Sequence, residues 1–359
     1  MGVLEIPSIL PLDISRPPEV FGDPGAQRAR ATGWDLLGSV PVPLRHVVRD
    51  GVAALVAGLR QQGGTALKCC FPMGQGGVTP FQRLRHIRDL DAYPDMLVSA
   101  EGANVFNRPF HRRFVEGGAF TAAQPAGVDP LFTQAGLVDP QGWIGVFAVA
   151  PFVMLIDRER LGERPIPRRW VDLADPVYAG QVVFSGWRAP GETRYGPVNT
   201  FFLNCMAHEM GLGGLARVLA NVPSLLHSAQ MPRLAGTDAA PGGIMIAPLS
   251  LADMCPRRHR TQIVWPEDGA LAYPLWMTVK QSRRQELAPL VDHFHGPELA
   301  ALLNANRYPA LCPGSRPPMP AWAKLKWPGW DFVRDPESAV QAKAVRKLFL
   351  YWQEHWACG

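Results

Sequence analysis

Two short polar, glycine-containing segments follow stretches of sequence that are typical of buried strands. One spans 72–77 after a predicted strand at 65–71, and the other spans 99–102 after a predicted strand at 95–99. Ligands collect in the loops at the carboxyl ends of parallel strands, so these segments predict capture of a small polar or anionic ligand. Alternatively, single residues among them cap a helix or fill a turn. The candidate residues are Met73, Gly74, Gln75, Ser99 and Glu101.

A second cluster has the side-chain types of a soft-metal site. Cys205, Met206 and His208 supply a thiol, a thioether and an imidazole, which suit copper or zinc. On a helix, however, His208 lies about 100° or more from the other two, so the three do not converge. Cys69 and Cys70 point to opposite faces of a strand. We therefore expect buried thiols, no bound metal and no cofactor.

Composition and motifs favour a binding protein over an enzyme. The sequence contains no G-x-S-x-G, no P-loop and no G-x-G-x-x-G after a strand. Its 359 residues exceed what one hydrophobic core usually serves, which predicts two lobes. The net charge of +5 comes from dispersed Lys and Arg residues, a pattern that argues against a nucleic-acid partner. No continuous apolar run reaches the length of a membrane-spanning helix.

The order of predicted elements indicates an α/β fold. Residues 1–33, rich in Pro, Gly and Arg, predict an irregular arm. A strand at 34–40, an amphipathic helix at 44–60 and the strand at 65–71 predict a parallel sheet covered by helices. A long extended run at 143–156 is expected to leave a first lobe near Ala148 to Phe152 and to enter a second.

The second lobe and the C-terminal part have their own predicted elements. Strands are expected at 182–185 and 243–248, a helix at 199–219, and a return to the first lobe at 264–272. From about Tyr273 the chain is expected to be mostly helical, with helices at 284–295, 297–306 and 340–356.

The segment from Trp170 to Phe184 reads W-V-D-L-A-D-P-V-Y-A-G-Q-V-V-F. It resembles the W-x-D-L-x-D-P-x-Y-x-G-K-I-x-F stretch of the extracellular solute-binding proteins of ABC importers, the type II family that binds iron, polyamines, thiamine and related ligands. The preceding segment 152–161 is similar to the family's crossing strand, with Asp157 and Arg158 in place of the usual Tyr-Asn. The V-P-V-P-L and C-C-F-P-M-G segments also resemble a branch of the family that lacks export signals.

The resemblance implies a two-lobed type II periplasmic-binding-protein-like fold with a hinge and an interlobe cleft. One lobe would comprise 34–150 and 265–359, and the other 151–264. The lobes would close by hinge bending on one ligand. Beside the five residues named above, the cleft would contain Ser185, Trp187, Tyr195, Asn199, Thr200, Pro248, Ser250 and Tyr273.

The resemblance also implies a function, which is capture of a small polar or anionic ligand, or a metal complex, for ABC-type import by a permease. The adjacent Tyr-Tyr pair of many iron-binding members is missing, since Tyr195 lies between Arg194 and Gly196, so ferric capture by such a pair is not expected. The alternative is a cytoplasmic metal-handling protein or an enzyme built on the same fold.

The start of the sequence, Met1 to Val20, lacks the basic and apolar regions of a signal peptide. It therefore predicts a cytoplasmic protein, with a periplasmic location as the alternative if an export signal was removed or omitted. We expect a monomer with a small-molecule ligand.

Overall fold

A computed structural model describes residues 33–64, 66–72, 81, 84, 86–100, 104–185, 187–189, 192–194 and 197–355. The predicted N-terminal arm lies outside these residues, apart from Gly33. None of the described helices combines the length and the apolar character that a bilayer crossing needs.

The strands are β1 (Leu36–Gly38), β2 (Cys69–Cys70), β3 (Met96–Ser99), β4 (Phe120–Thr121), β5 (Gly145–Asp157), β6 (Val182–Ser185), β7 (Trp187–Ala189), β8 (Glu192–Arg194), β9 (Leu225–Leu226), β10 (Ile244–Pro248), β11 (Thr261–Val264), β12 (Ala270–Lys280) and β13 (Leu325–Lys326). Most join one mixed sheet in the order β2-β1-β3-β12-β5-β10-β6-β9. β4 and β13 pair with β12, β11 pairs with β5, and β7 and β8 form a separate hairpin.

The helices are α1 (Arg45–Gln61), α2 (Arg108–Phe110), α3 (Pro130–Gln134), α4 (Arg158–Leu161), α5 (Pro197–Ala220), α6 (Met231–Leu234), α7 (Leu249–Ala252), α8 (Ala288–His295), α9 (Pro297–Ala305), α10 (Trp330–Arg334) and α11 (Pro336–His355). α2 continues into a π-helical turn, and α5 is interrupted at Gly211, whose φ of 71° is not helical. Several helices begin with proline, which lacks the amide hydrogen that a first turn leaves unpaired.

The long strand β5 joins the two halves of the sheet. Residues 145–151 pair antiparallel with β12, and residues 152–156 pair antiparallel with β10. β5 is buried along its whole length, so its sequence is a continuous apolar run rather than an alternation of apolar and polar residues. β12 and β10 therefore lie on opposite edges of β5 and pair with successive parts of it, and the change falls between Pro151 and Phe152.

The hydrophobic core follows the two faces of this sheet. On one face, α1, α8 and α9 cover the half that contains β1, while α5 and α11 cover the half that contains β6. On the other face, one continuous cluster runs under both halves. Alternate residues of β5 serve opposite faces, since Phe152 and Met154 pack toward α5 whereas Val153 and Leu155 belong to the continuous cluster.

The segment that carries the family resemblance forms two 3-10 turns that lead into β6. Trp170 is buried, and its indole nitrogen donates to the carbonyl of Gly269 at 2.8 Å. The Asn221 side chain donates to the carbonyls of Leu173 and Asp175. These contacts hold the segment in one conformation and thereby fix the position of β6, which follows it.

Two parts of the C-terminal region differ from the expectation. β12 continues to Lys280, where a mostly helical chain was expected from Tyr273. Both faces of β12 are buried, which removes the alternation by which a strand is recognised. α11 was expected with the first lobe, but Val345, Phe349 and Trp352 pack in the cluster of α5 and β6. Their spacing predicts an apolar helix face and does not specify which surface that face meets.

Candidate functional site

The two halves of the sheet direct the ends of their parallel strands toward each other. In the first half β1, β2 and β3 run parallel, and in the second half β6, β9 and β10 run parallel. β3 runs in the direction of β5, because both are antiparallel to β12, whereas β10 is antiparallel to β5. The carboxyl ends of both groups therefore face the same gap, which is where α/β sheets bind ligands.

The strand register gives the size of this gap. Ser99, at the end of β3, pairs with Trp276, which in turn pairs with Val146. Pro248, at the end of β10, pairs with Phe152. The two strand ends are thus six positions apart along β5, about 20 Å at roughly 3.3 Å per residue.

An aromatic group lies along the strands that cross the gap. Tyr273 of β12 pairs with Ala150 and packs against the helical clusters of both halves. The Tyr273 ring centroid lies 4.8 Å from that of Phe201, which lies 6.0 Å from that of Phe152. Tyr273 and Phe201 are only partly buried. They form an aromatic surface between the two strand groups.

Most of the other predicted residues with described side chains lie at the same gap. Ser185 ends β6 and Pro248 ends β10, and both are partly exposed. Thr200, also partly exposed, lies in the first turns of α5, one residue before Phe201. Ser99 is fully buried. The structure therefore brings residues from four separate parts of the chain to one region.

Ser250 is engaged within the protein. It is buried in α7, and its hydroxyl donates to the hydroxyl of Tyr308 at 3.1 Å. Burial raises the pKa of Tyr308, which keeps its hydroxyl protonated at neutral pH. A direct ligand contact by Ser250 stays a prediction, and the contact that the structure shows joins two segments next to the crossing strand.

Several predicted residues cannot be compared with the structure. Met73, Gly74, Gln75, Glu101 and Tyr195 lie outside the described residues. Trp187 and Asn199 belong to the described elements β7 and α5, but their side chains do not belong to the described part. Their roles remain predictions.

Three residues at the gap were missed by the sequence analysis. Ser39 follows β1, where the rule applied to Ser99 would have found it. Phe201 and Tyr308 were treated as a core position and as part of a helical region. No local pattern marks them, because their positions depend on the pairing of distant strands.

Among the described residues, no group of three or more His, Cys, Asp and Glu side chains could hold a metal ion. The five described cysteines are free and buried. Burial raises the pKa of Cys69 and Cys70 to about 12 and raises that of Cys205 as well, so these thiols are protonated at neutral pH. Protonated thiols are poor metal ligands and poor nucleophiles.

The sequence profile of the bacterial extracellular solute-binding proteins matches residues 91–336, more than half of the chain. The chain belongs to this family. A comparison with curated protein sequences finds no match to this solute-binding protein.

Solved structures show the same fold. The Bordetella ferric binding protein is 16% identical with a TM-score of 0.56, and the comparison covers 88% of this chain and 98% of that one. The apo ferric ion-binding protein A of Pasteurella haemolytica is 14% identical with a TM-score of 0.59, covering 89% and 97%. The Trichodesmium protein IdiA (FutA), in complex with iron and citrate ligands, is 14% identical with a TM-score of 0.57, covering 88% and 99%. The predicted type II fold of this solute-binding protein is thereby confirmed.

Proposed function

We propose that this protein captures a small polar or anionic solute, or a metal complex, in the cleft between two lobes. The observation that carries the proposal is the opposed arrangement of strand ends. Ser99 and Pro248 lie six positions apart along β5, and Tyr273 pairs with that strand between them. Polar groups on both sides of the cleft can bind the same ligand only when the cleft closes, which favours hinge bending on the ligand.

The proposed lobes are 34–150 with 265–335, and 151–264 with α11. The change of strand partners at Pro151 and Phe152 supports the first crossing. The passage from β11 to β12 beside the same strand supports the return crossing. The packing of α11 on α5 is the reason for attaching it to the second lobe.

The described floor of the cleft favours a ligand with an organic part. The rings of Tyr273 and Phe201 lie 4.8 Å apart there, and the partly exposed Ser185 and Thr200 lie at the end of β6 and in the first turn of α5. Such a surface packs a carbon framework and binds its polar groups, whereas a bare ferric ion requires several anionic oxygen ligands. An organic anion, or iron held by an organic chelator such as citrate, fits this surface better than the free metal.

We propose that the protein acts outside the cytoplasm, as a monomer, and passes its ligand to an ABC permease. The family description supports an extracellular location over the cytoplasmic expectation. The related structures are binding proteins, which supports a role without catalysis.

A thermal-shift screen of organic anions, polyamines and ferric citrate tests the capture function. A ligand that raises the Tm should shorten the distance between fluorophores at Arg88 and Arg217, which are exposed on the two proposed lobes. Saturating ligand with an unchanged distance would refute capture by hinge closure. A stoichiometric metal that co-purifies with the protein and without an organic chelator would favour the metal-handling alternative.

Variants at the cleft separate a binding role from a structural one. Tyr195→Ala and Glu101→Ala should each weaken binding of the ligand found by the screen while lowering the Tm little. Arg346→Ala, on the exposed side of α11, is the matched control and should change neither. Loss of stability with unchanged affinity would instead indicate that Tyr195 and Glu101 have structural roles.

A further inference from the structure

Arg307 adopts a backbone conformation that is unfavourable for its residue type. It lies two residues after α9 with φ of 66°, and of the described residues only it and Ala123 have such values without being glycine. The amide of Tyr308 donates to the carbonyl of Leu303 at 2.9 Å, the bond of a helix end that normally has glycine at position 307. Arginine there costs free energy that glycine would avoid.

The side chain of Arg307 reaches a residue at the end of the opposite group of strands. Its Nε donates to Oδ2 of Asp253 at 2.8 Å. Asp253 directly follows α7, which directly follows β10. The other carboxylate oxygen, Oδ1, accepts from Arg258 within the same lobe, also at 2.8 Å. Burial raises the pKa of Asp253, but the hydrogen bonds of both arginines outweigh it and hold that pKa below its usual value.

The neighbouring residues make a second contact between the same segments. Tyr308 accepts a hydrogen bond from Ser250 of α7 at 3.1 Å, and both side chains are buried. The following segment is fixed on the first-lobe half of β5, because Val149 donates to the carbonyl of Pro309 and Leu311 donates to that of Phe147. α7 is attached to the other half through β10. The two contacts therefore span the point where β5 changes partners.

We infer that Arg307 and Tyr308 form a clasp with Asp253 and Ser250 that positions the end of β10 relative to the first lobe. In the absence of ligand, the clasp determines the relative populations of the different arrangements of the two lobes. Arg307 is a positioning residue, and the ion pair of its side chain with Asp253 offsets part of the cost of its backbone conformation. The inference rests on the proposed two-lobed capture function.

The test measures single-molecule energy transfer between fluorophores on noncanonical amino acids at positions 88 and 217, without ligand. Asp253→Asn removes the charge without changing the backbone, and Arg307→Gly removes the side chain and the strain. Both should shift the ratio of lobe arrangements, or the mean distance, in the same direction. The ratio of lobe arrangements should change about threefold, which corresponds to the free energy that a partly exposed ion pair contributes. Compared with Arg307→Gly, Arg307→Lys should shift the ratio of lobe arrangements less, because it restores a cationic side chain at this position.

Two controls match these variants. Arg258→Ala removes the bond to Asp253 within the lobe, and Ala123→Gly relieves a positive φ without touching the clasp. Both should leave the distance distribution unchanged. The clasp is refuted if Asp253→Asn and Arg307→Gly behave like the parent protein, or if Ala123→Gly shifts the distribution as Arg307→Gly does.

Failure of the clasp and failure of the capture function are distinguishable. No ligand enters the clasp experiment, so a shift in Asp253→Asn and Arg307→Gly supports the clasp even if the ligand screen finds nothing. Conversely, ligand-induced compaction with no effect of these variants supports capture and overturns the clasp.

Discussion

The sharpest stability prediction concerns Gly38, the last residue of β1. A Cβ added there would lie 2.7 Å from Cδ1 of Phe71 and closer still to Cε1 and Cζ. Phe71 is 5% exposed and follows β2, the parallel neighbour of β1. The backbone of Gly38 is not left-handed, and the nearest obstacle to alanine among the described residues is this ring. Both residues precede loops of the proposed cleft.

Gly38→Ala should lower the free energy of unfolding by about 1–3 kcal/mol, the cost of forcing a buried ring out of its place. Phe71→Ala alone should cost about 3–5 kcal/mol. The double variant should lose at least about 1 kcal/mol less than the sum, because the new methyl group then meets no ring and fills part of the space left.

The same substitution at Gly58 is the matched control. Gly58 lies inside α1, and no described atom outside its own helix turn comes within 4 Å of an added Cβ. Alanine in a helix interior is favoured over glycine by about 0.5–1 kcal/mol, so Gly58→Ala should stabilise the protein. The two glycine variants are therefore expected to have opposite signs.

Urea unfolding followed by far-ultraviolet circular dichroism measures all four variants, with the midpoint and the slope determined separately. Equal effects of Gly38→Ala and Gly58→Ala would show that the ring does not restrict position 38. Additive effects of Gly38→Ala and Phe71→Ala, within about 0.3–0.5 kcal/mol, would contradict the contact itself.

Three further predictions concern the C-terminal helix, a buried histidine and the cleft floor. Phe349→Ala should cost about 3–5 kcal/mol in urea unfolding, because its ring is 1% exposed against α5 and β6, while exposed Lys347→Ala should cost almost nothing. Burial lowers the pKa of His295 from 6.5 to about 4, and neither ring nitrogen has a hydrogen-bond partner within the described residues. As the pH falls from 6.5 toward 4, the unfolded chain binds a proton at His295 before the folded chain does. The free energy of unfolding should therefore drop by about 3 kcal/mol over that pH range. His295→Leu should reduce this dependence of the free energy of unfolding on pH. Tyr273→Leu should weaken binding of the screened ligand about tenfold in calorimetry, because the face of the ring supplies the contact. Tyr273→Phe should retain most of the affinity. Equal losses of affinity in the two variants would show that the hydroxyl makes the contact instead.

Local patterns predicted the elements whose determinants lie within a few residues. The helix expected at 44–60 is observed as Arg45–Gln61, since its apolar spacing and the proline before it are local features. The long strand expected at 143–156 is observed as Gly145–Asp157. The segment 170–184 was sufficient to identify the family, because its turns and its buried tryptophan are encoded in consecutive residues.

Polar residues at strand ends were also predictable in type, although not in their mutual positions. Ser99 was recognised from the strand before it, whereas Ser185 and Pro248 came from the family resemblance. That Ser99 and Pro248 lie six residues apart along β5 follows from pairings between distant strands, in which Trp276 pairs with Ser99 and Val146, and Pro248 pairs with Phe152. A single sequence contains no local feature that specifies such a register.

The tertiary structure alone decided the partners of buried elements. β12 is apolar on both faces and therefore lacked the alternation that marks a strand, so its course to Lys280 was missed. The apolar face of α11 was visible in its spacing, but its packing on α5 was not. The contact of Arg307 with Asp253 joins two surface charges that carry no pattern at all. Sequence periodicity determines which face of an element is buried, whereas the surface that buries it depends on how the whole chain folds.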